Sequence, residues 1–160
     1  DTLTVEFTAK YIIFKLDETI FFTRILEGEY LDYKRALPNQ NRIFATIDRT
    51  DFIESAERAS LLVDEKLRTP LRCRFEGNIL NISCNTQYGS VNDNIRIDKE
   101  GDDIEIGFNN RYLLDALRAA KDDKIKVSMS TPLMSMIIEP VEPDPDSGYT
   151  YLVLPCKLKD

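Results

Sequence analysis

The sequence of 160 residues contains no histidine and no tryptophan, and it has only three cysteines. Histidine is the usual general base near neutral pH and the commonest metal ligand, so its absence excludes most hydrolytic mechanisms and most zinc sites. The cysteines, Cys73, Cys84 and Cys156, are odd in number and widely spaced in apolar, strand-like contexts. This spacing predicts neither a disulfide framework nor a metal centre, and free thiols are typical of a reducing, cytoplasmic compartment.

Familiar catalytic motifs are also missing: the sequence has no Gly-rich phosphate loop, no nucleophile elbow and no paired Cys-x-x-Cys. The densest acidic stretch, EPVEPDPDSGY, spaces Asp144, Asp146 and Gly148 partly as in a calcium-binding loop, but a proline separates the acids and the downstream glutamate is absent. We expect a solvated hairpin loop there, and no metal, no cofactor and no enzymatic activity. An acid-dependent hydrolase would need two carboxylates that converge in a cleft, which no spacing indicates.

Long apolar runs are absent, since none approaches the roughly 18 to 20 residues of a membrane-spanning helix. The 28 acidic and 21 basic residues give a net charge of −7, which argues against a surface that coats nucleic acid or anionic membranes non-specifically. A local basic stripe is compatible with that total. The chain opens on strand-like alternation in DTLTVEFT, without an initiator methionine or a leader, so we expect a piece of a longer protein.

What the sequence does contain is a set of strands followed by a repeat. The runs LTVEFTA, YIIFKL and TIFFTRIL alternate apolar and polar residues and predict three consecutive antiparallel strands. The next segment, EGEYLDYKRALPNQN, carries Gly28 and Pro38 and predicts a connection, with a domain boundary between residues 36 and 37.

After this connection the order β-α-β-β-β is predicted twice, which indicates an internal duplication. The first copy is the strand RIFATI, a helix from Arg49 to Lys66 capped by Asp48, and the strands LRCRF, ILNISC and DNIRID. The second is DIEIGF, a helix from Asn110 to Lys121, KIKVSMS, MSMIIE and YTYLVLPCKL. The expected core positions of the helices are Phe52, Ala56, Ala59, Val63, Leu113, Ala116, Leu117 and Ala120. The predicted fold class is α+β, with two helices packed on antiparallel sheets.

Three surfaces are candidates for function. The helices carry cations such as Arg58, which favour either phosphate contacts on a concave face or an ordinary solvated face. The neighbours Leu61 and Leu62 cannot both face the core, so one of them is expected either to meet a partner or to pack under the loop CNTQYGSVND. In the terminal strand, Leu152 and Leu154 share the face opposite the core and need cover.

Pro155 removes a hydrogen-bond donor from this terminal strand. Ladder pairing is therefore expected to end there, and the following residues to run along the surface beside Ala36, Leu37 and Tyr112. Two alternatives follow: an apolar groove that captures a short peptide, or a plain terminal strand buried in the sheet.

Three stretches together, FTRILEGEYLDYKRALP, IEIGFNNRYLLDAL and TYLVLPCKL, resemble the bacterial DNA polymerase III beta subunit family, the sliding clamps. The resemblance covers essentially the whole chain. It implies that residues 1–36 are the last strands of a middle domain and that residues 37–160 are a complete third domain with the processivity fold. It also implies a non-catalytic ring, a homodimer in the full-length protein, that encircles duplex DNA without sequence preference and tethers the polymerase.

The resemblance also assigns roles to residues. It places Lys34, Arg35 and Arg58 towards the DNA, and Leu61 and Leu62 in the ring interface with the strand around QYGSVNDNI. The family's cleft binds short linear motifs of the polymerase III catalytic subunit, the clamp loader and repair proteins. The implied cleft residues are Leu31, Ala36, Asn109, Tyr112, Leu133, Ser135, Leu152, Leu154, Pro155, Cys156 and Lys157.

Two departures from the family pattern concern this cleft. Leu31 stands where a proline is common, which is expected to reshape one lip, and Lys159 and Asp160 extend past the usual terminal leucine, which is expected to crowd the other. A separate hypothesis keeps the fold and changes the role. It is a free-standing α+β protein-interaction module that uses the same apolar edge for another partner and does not bind DNA.

Overall fold

The computed structural model describes residues 2–63, 69–144 and 148–158. The chain forms two compact units, Asp1–Tyr33 and Lys34–Asp160. This division falls a few residues before the predicted domain boundary. In the described ranges, no helix combines the length and the apolar character needed to cross a membrane.

The first unit is an antiparallel sheet of three strands, as the alternation predicts. The strands are β1 (Thr4–Phe7), β2 (Tyr11–Leu16) and β3 (Thr19–Arg24). Asp17 adopts a positive φ of 49° in the tight turn between β2 and β3, a conformation that aspartate tolerates better than most residues. The consecutive residues Ile20, Phe21 and Phe22 are all exposed, so both faces of β3 carry uncovered apolar side chains.

The second unit contains the predicted duplication. A short 3-10 helix, Tyr33–Arg35, lies at the division between the units. The first copy consists of β4 (Ile43–Asp48), α1 (Arg49–Ser60), β5 (Leu71–Glu76), β6 (Ile79–Thr86) and β7 (Gly89–Glu100). The second consists of β8 (Ile104–Phe108), α2 (Asn110–Ala119), β9 (Lys124–Met129), β10 (Met136–Pro140), β11 (Tyr151–Val153) and β12 (Pro155–Cys156). Within the described residues these strands form one sheet in the order β11-β10-β9-β4-β7-β6-β5-β8-β12.

In each copy the last strand changes partners part-way along. β7 pairs with β6 up to Arg96 and with β4 from Ile97 onward. The terminal segment, β11 and β12, pairs with β10 up to Val153 and with β8 from Pro155 onward. The two ends of the sheet are therefore joined through one residue, Leu154, and the sheet closes on itself.

The prediction that ladder pairing ends at Pro155 is wrong. Only the ladder with β10 ends, and pairing resumes at once with β8, where Pro155 lies opposite Phe108. A proline at the first position of a strand can still accept a hydrogen bond through its carbonyl group, so its missing N–H does not prevent this second ladder.

Both helices begin where the sequence predicts, because each start has a capping side chain. The Asp48 carboxylate accepts a hydrogen bond from the backbone N–H of Thr50 at 2.9 Å, and the Asn109 side-chain oxygen accepts one from Arg111 at 3.0 Å. Helix α2 ends at Ala119, slightly earlier than predicted, because the next residue adopts an extended backbone.

Helix α1 is shorter than predicted. The N–H groups of Leu61–Val63 donate to carbonyls three residues back, which is a tighter turn than an α-helix, and residues 64–66 lie outside the described ranges. The Ser60 hydroxyl donates to the Glu57 carbonyl at 2.6 Å and so competes with helical continuation.

One hydrophobic core joins both helices to the inner face of the sheet. The predicted helix positions that are buried are Phe52, Ala56, Ala59, Leu113, Leu117 and Ala120. Val63 and Ala116 are partly buried against this core. Because two helices pack on antiparallel strands, the α+β fold class is confirmed.

Replacing Leu117 with alanine is expected to lower the free energy of unfolding by about 2–5 kcal/mol, because it opens a cavity in this core. Leu61 is the matched control, since it is 84% exposed just past the end of α1. Its alanine variant is expected to change stability by no more than about 0.5 kcal/mol. Urea unfolding followed by circular dichroism measures both variants, and equal midpoints would contradict this assignment of the core.

Candidate functional site

The terminal segment alternates between core and surface as the sequence predicts. Val153 is 2% exposed, whereas Leu152 and Leu154 are 37% and 66% exposed. Leu152 lies opposite Ile137 in the ladder with β10, while Leu154 falls between the two ladders and pairs with no strand in the described part of the chain. The strand is therefore part of the sheet, and it also leaves an apolar side uncovered.

A groove of about 760 Å³ opens beside Leu154. Tyr112 and Leu114 line it from α2, and Val63 lines it from the turn after α1. Leu154 and Pro155 form the wall contributed by the terminal segment. Separate parts of the second unit thus converge on one concave surface that combines apolar and polar residues.

Backbone pairing explains why these parts meet. Pro155 lies opposite Phe108 in the ladder between β12 and β8, and Phe108 immediately precedes the cap of α2. The cap residue, Asn109, lines the groove and also accepts a hydrogen bond from the N–H of Tyr112 at 3.3 Å. The capping bonds hold the first turn of α2 in place, so Tyr112 and Leu154 are fixed on neighbouring walls.

The groove brings together some of the predicted cleft residues: Asn109, Tyr112, Leu154, Pro155 and Cys156. The predicted cleft residues of the same unit that do not line it are Ala36, Leu133, Ser135, Leu152 and Lys157. Leu31 belongs to the first unit. The assignment of all these residues to one peptide cleft stays a prediction.

Sequence reasoning missed Asn110 at the start of α2 and, further along the helix, three more groove residues, Arg111, Leu114 and Arg118. These three are spaced by three and four residues and therefore lie on one flank of the helix. That spacing was the available signal. The packing of the terminal segment decides which flank of α2 faces the groove, and no local sequence pattern indicates how that segment packs.

The chemistry of the groove suits binding. Among the lining residues that the structure describes, two are arginines and none is a carboxylate. Over the same described ranges, no three cysteine or carboxylate side chains cluster as metal ligands, and Asp146 of the calcium-like loop lies outside those ranges. The two thiols of the core, Cys73 and Cys84, are buried, and burial raises the pKa of both. Apolar walls with a few polar groups are typical of a peptide-binding groove.

Leu61 and Leu62, which follow α1, differ in burial. Leu61 is exposed, whereas Leu62 is half-buried and places its Cδ1 atom 3.8 Å from where a Cβ atom would lie at Gly89. Leu62 therefore packs against the start of β7 and Leu61 stays uncovered. Residues 89–96 of β7 pair with β6 along one edge, and no strand in the described part of the chain pairs with their other edge.

The cations predicted to face DNA lie in two places. Lys34 and Arg35 are exposed in the 3-10 helix. Arg58 on α1 contacts Asp93 of β7 through Nε at 2.9 Å and Nη2 at 2.5 Å, with Glu54 3.7 Å away.

The hydrogen bond from Arg58 holds the pKa of the Asp93 carboxyl below its usual value, and the same contact raises the pKa of Arg58. Because the folded-state pKa of Asp93 is lowered, the pair stabilises the fold above the unfolded-state pKa of Asp93. That contribution is lost as the pH falls through the folded-state pKa.

Comparisons with known proteins agree with this architecture. Residues 34–157 match the sequence model of the family described as DNA polymerase III beta subunit, C-terminal domain. The chain is 28% identical over 159 residues to the beta sliding clamp of Staphylococcus aureus, an alignment that covers 98% of this chain and 41% of that protein.

Two solved structures show the same fold. The sliding clamp of Bacillus subtilis is 26% identical with a TM-score of 0.89, over 98% of this chain and 41% of that one. The DNA polymerase III subunit beta of Pseudomonas aeruginosa is 26% identical with a TM-score of 0.86, over 97% and 42%. The chain thus spans about 41% of the length of the curated relatives that it matches. It belongs to the DNA polymerase III beta subunit family and carries that family's C-terminal domain.

Proposed function

We propose that this chain is the C-terminal part of a DNA sliding clamp. In this proposal the full-length protein is a non-catalytic, cytoplasmic ring that encircles duplex DNA and tethers the replicative polymerase. Membership of the beta subunit family over residues 34–157 carries the proposal, and the names of the matched relatives, which are sliding clamps, support it.

Peptide docking in the groove is the second part of the proposal. The exposed apolar side chains of Tyr112 and Leu154 offer anchoring surface beside an uncovered strand face. Short linear motifs of the polymerase III catalytic subunit, the clamp loader and repair proteins insert their apolar residues there. The predicted cleft residues of the second unit that lie outside the groove, Leu133 among them, extend this docking surface in the full-length protein.

Ring formation is the third part. Leu61 and the open edge of β7 together offer an apolar side chain and unpaired backbone groups, which supports an interface between two copies of the full-length protein. The uncovered apolar side chains of β3 support the proposal that residues 1–36 are the last strands of a middle domain.

DNA contact in this proposal is weak and independent of sequence. The net charge is −7, and Arg58 is already paired with Asp93, so only a small number of cations serve the phosphates. Weak contacts let the ring slide, and the closed ring rather than affinity retains it on the duplex.

The clamp proposal is tested with the full-length protein, which a clamp loader places on a nicked circular plasmid. The protein is expected to elute with the circular plasmid on gel filtration at raised salt and to be released when a restriction enzyme linearises the DNA. Leu61→Asp is expected to reduce retention because a charge would be buried in the ring interface. Val141→Asp, at an exposed position outside that interface, is the control. Retention that survives linearisation would contradict a topological link.

Leu154→Asp is expected to weaken peptide binding at least about tenfold, because it removes an apolar anchor and places a charge in the groove. The measurement is fluorescence anisotropy of a labelled peptide that carries a polymerase clamp-binding motif. Val141→Asp again supplies the matched control, since it introduces the same charge outside the groove. Unchanged affinity in Leu154→Asp would exclude this wall as the docking site.

A further inference from the structure

Gly107 on β8 lies directly against the end of the chain. A Cβ atom at this position would lie 2.6 Å from Leu158 Cδ2 and 2.7 Å from the carbonyl oxygen of Cys156, which is well inside contact distance. The backbone of Gly107 is outside the left-handed region, so close approach, and not an unusual φ, requires glycine here. The missing side chain leaves room for Leu158, which is half-buried.

The strand next to this contact is weakly held. β12 has two residues, with Pro155 opposite Phe108 and Cys156 opposite Gly107. Pro155 has no N–H to donate, so the ladder itself supplies little. Packing of Leu158 on Gly107 adds apolar contact beside the short ladder between β12 and β8, which has few hydrogen bonds.

We propose that Gly107 and Leu158 form a latch that positions the terminal segment. When the latch is closed, Pro155 and Cys156 stand as a wall of the groove. When it opens, β12 separates from β8 and the groove loses that wall. Neither latch residue lines the groove, so both are positioning residues. The latch depends only on the fold, while its effect on peptide docking rests on the proposed function.

Thiol reactivity tests the latch without any peptide. Cys156 is half-buried, whereas Cys73 and Cys84 are buried. In Leu158→Ala, the rate at which dithionitrobenzoate modifies Cys156 is expected to rise about tenfold through local opening of β12. Gly107→Ala is expected to give the same increase, because its methyl group displaces Leu158 and the Cys156 carbonyl.

Leu26→Ala is the matched control, since it truncates an exposed leucine that has no part in the latch or the groove, and its rate is expected to stay unchanged. An unchanged rate in Leu158→Ala would overturn the latch. Simultaneous modification of all three cysteines would also overturn it, because that pattern marks global unfolding. Peptide anisotropy on the same variants separates the two proposals. Faster thiol reaction with unchanged peptide affinity supports the latch and contradicts docking against this wall.

A different observation bears on the kind of peptide the groove selects. Arg111 and Arg118 lie on the flank of α2 that lines the groove, together with Leu114, which is mostly buried in the core. The two arginines are seven residues apart, which corresponds to roughly 10 Å along a helix. Arg118 also contacts Glu57 at 2.7 Å, and Glu57 does not line the groove.

We infer that the groove prefers peptides that carry an acidic residue beside their apolar residues. The acid is placed opposite Arg111, because Arg118 is already held by Glu57. This inference rests on the proposed docking function. It assigns Arg111 the role of selecting charge, while Tyr112 with the terminal segment supplies the apolar contact.

The test compares labelled peptides with the cores Asp-Leu-Leu-Asp and Asn-Leu-Leu-Asn in otherwise identical sequences. The acidic peptide is expected to bind about 3- to 10-fold more tightly at low salt, and Arg111→Glu is expected to abolish that preference. Arg96→Glu, the same change on β7 and outside the groove, is expected to preserve it. Equal loss of the preference in Arg111→Glu and Arg96→Glu, or no preference in the unchanged chain, would overturn the inference of charge selection but not the docking proposal. Failure of both peptides to bind the parent chain would overturn the docking proposal with it.

Discussion

The terminal segment has to complete two ladders at once, and the rest of the second unit depends on this constraint. Unpaired edge strands expose backbone donors and acceptors that need another partner. By pairing with β10 through β11 and with β8 through β12, the segment removes both ends of the sheet. The closure encloses the core beneath the helices. It also forces Leu154 out of the ladder and seats Pro155 beside the start of α2, so the groove arises directly from the way the sheet closes.

Much of the fold could be predicted because its signals are local. Alternation marked the strands, and the side chains of Asp48 and Asn109 marked the helix starts. The end of α1 was not predictable. The N–H groups of Leu61–Val63 donate to carbonyls three residues back, and no sequence pattern marks this change of hydrogen bonding. Tertiary packing decides such details.

The candidate site was predicted only in part, and mainly through family resemblance. Asn109, Tyr112 and Leu154 were named in advance and do line the groove. Arg111 and Arg118 were considered only as helix cations for phosphate contacts and were not assigned to the groove, because that assignment depends on which flank of α2 the terminal segment approaches. The pairing of Arg58 with Asp93 was equally hidden, since it joins a helix to a strand far along the sequence. It matters for function because a cation held by a carboxylate is less available to a phosphate.

The last strands of the two copies change pairing partners at equivalent places, but the backbone pairing at the change differs. β7 passes from β6 to β4 between adjacent residues, Arg96 and Ile97, without a break. The terminal segment omits Leu154 and restarts on a proline. Both copies pack on one shared core, whereas their crossover points differ. The same strand order therefore presents two unlike surfaces on one domain, a continuous strand in the first copy and an interrupted strand in the second.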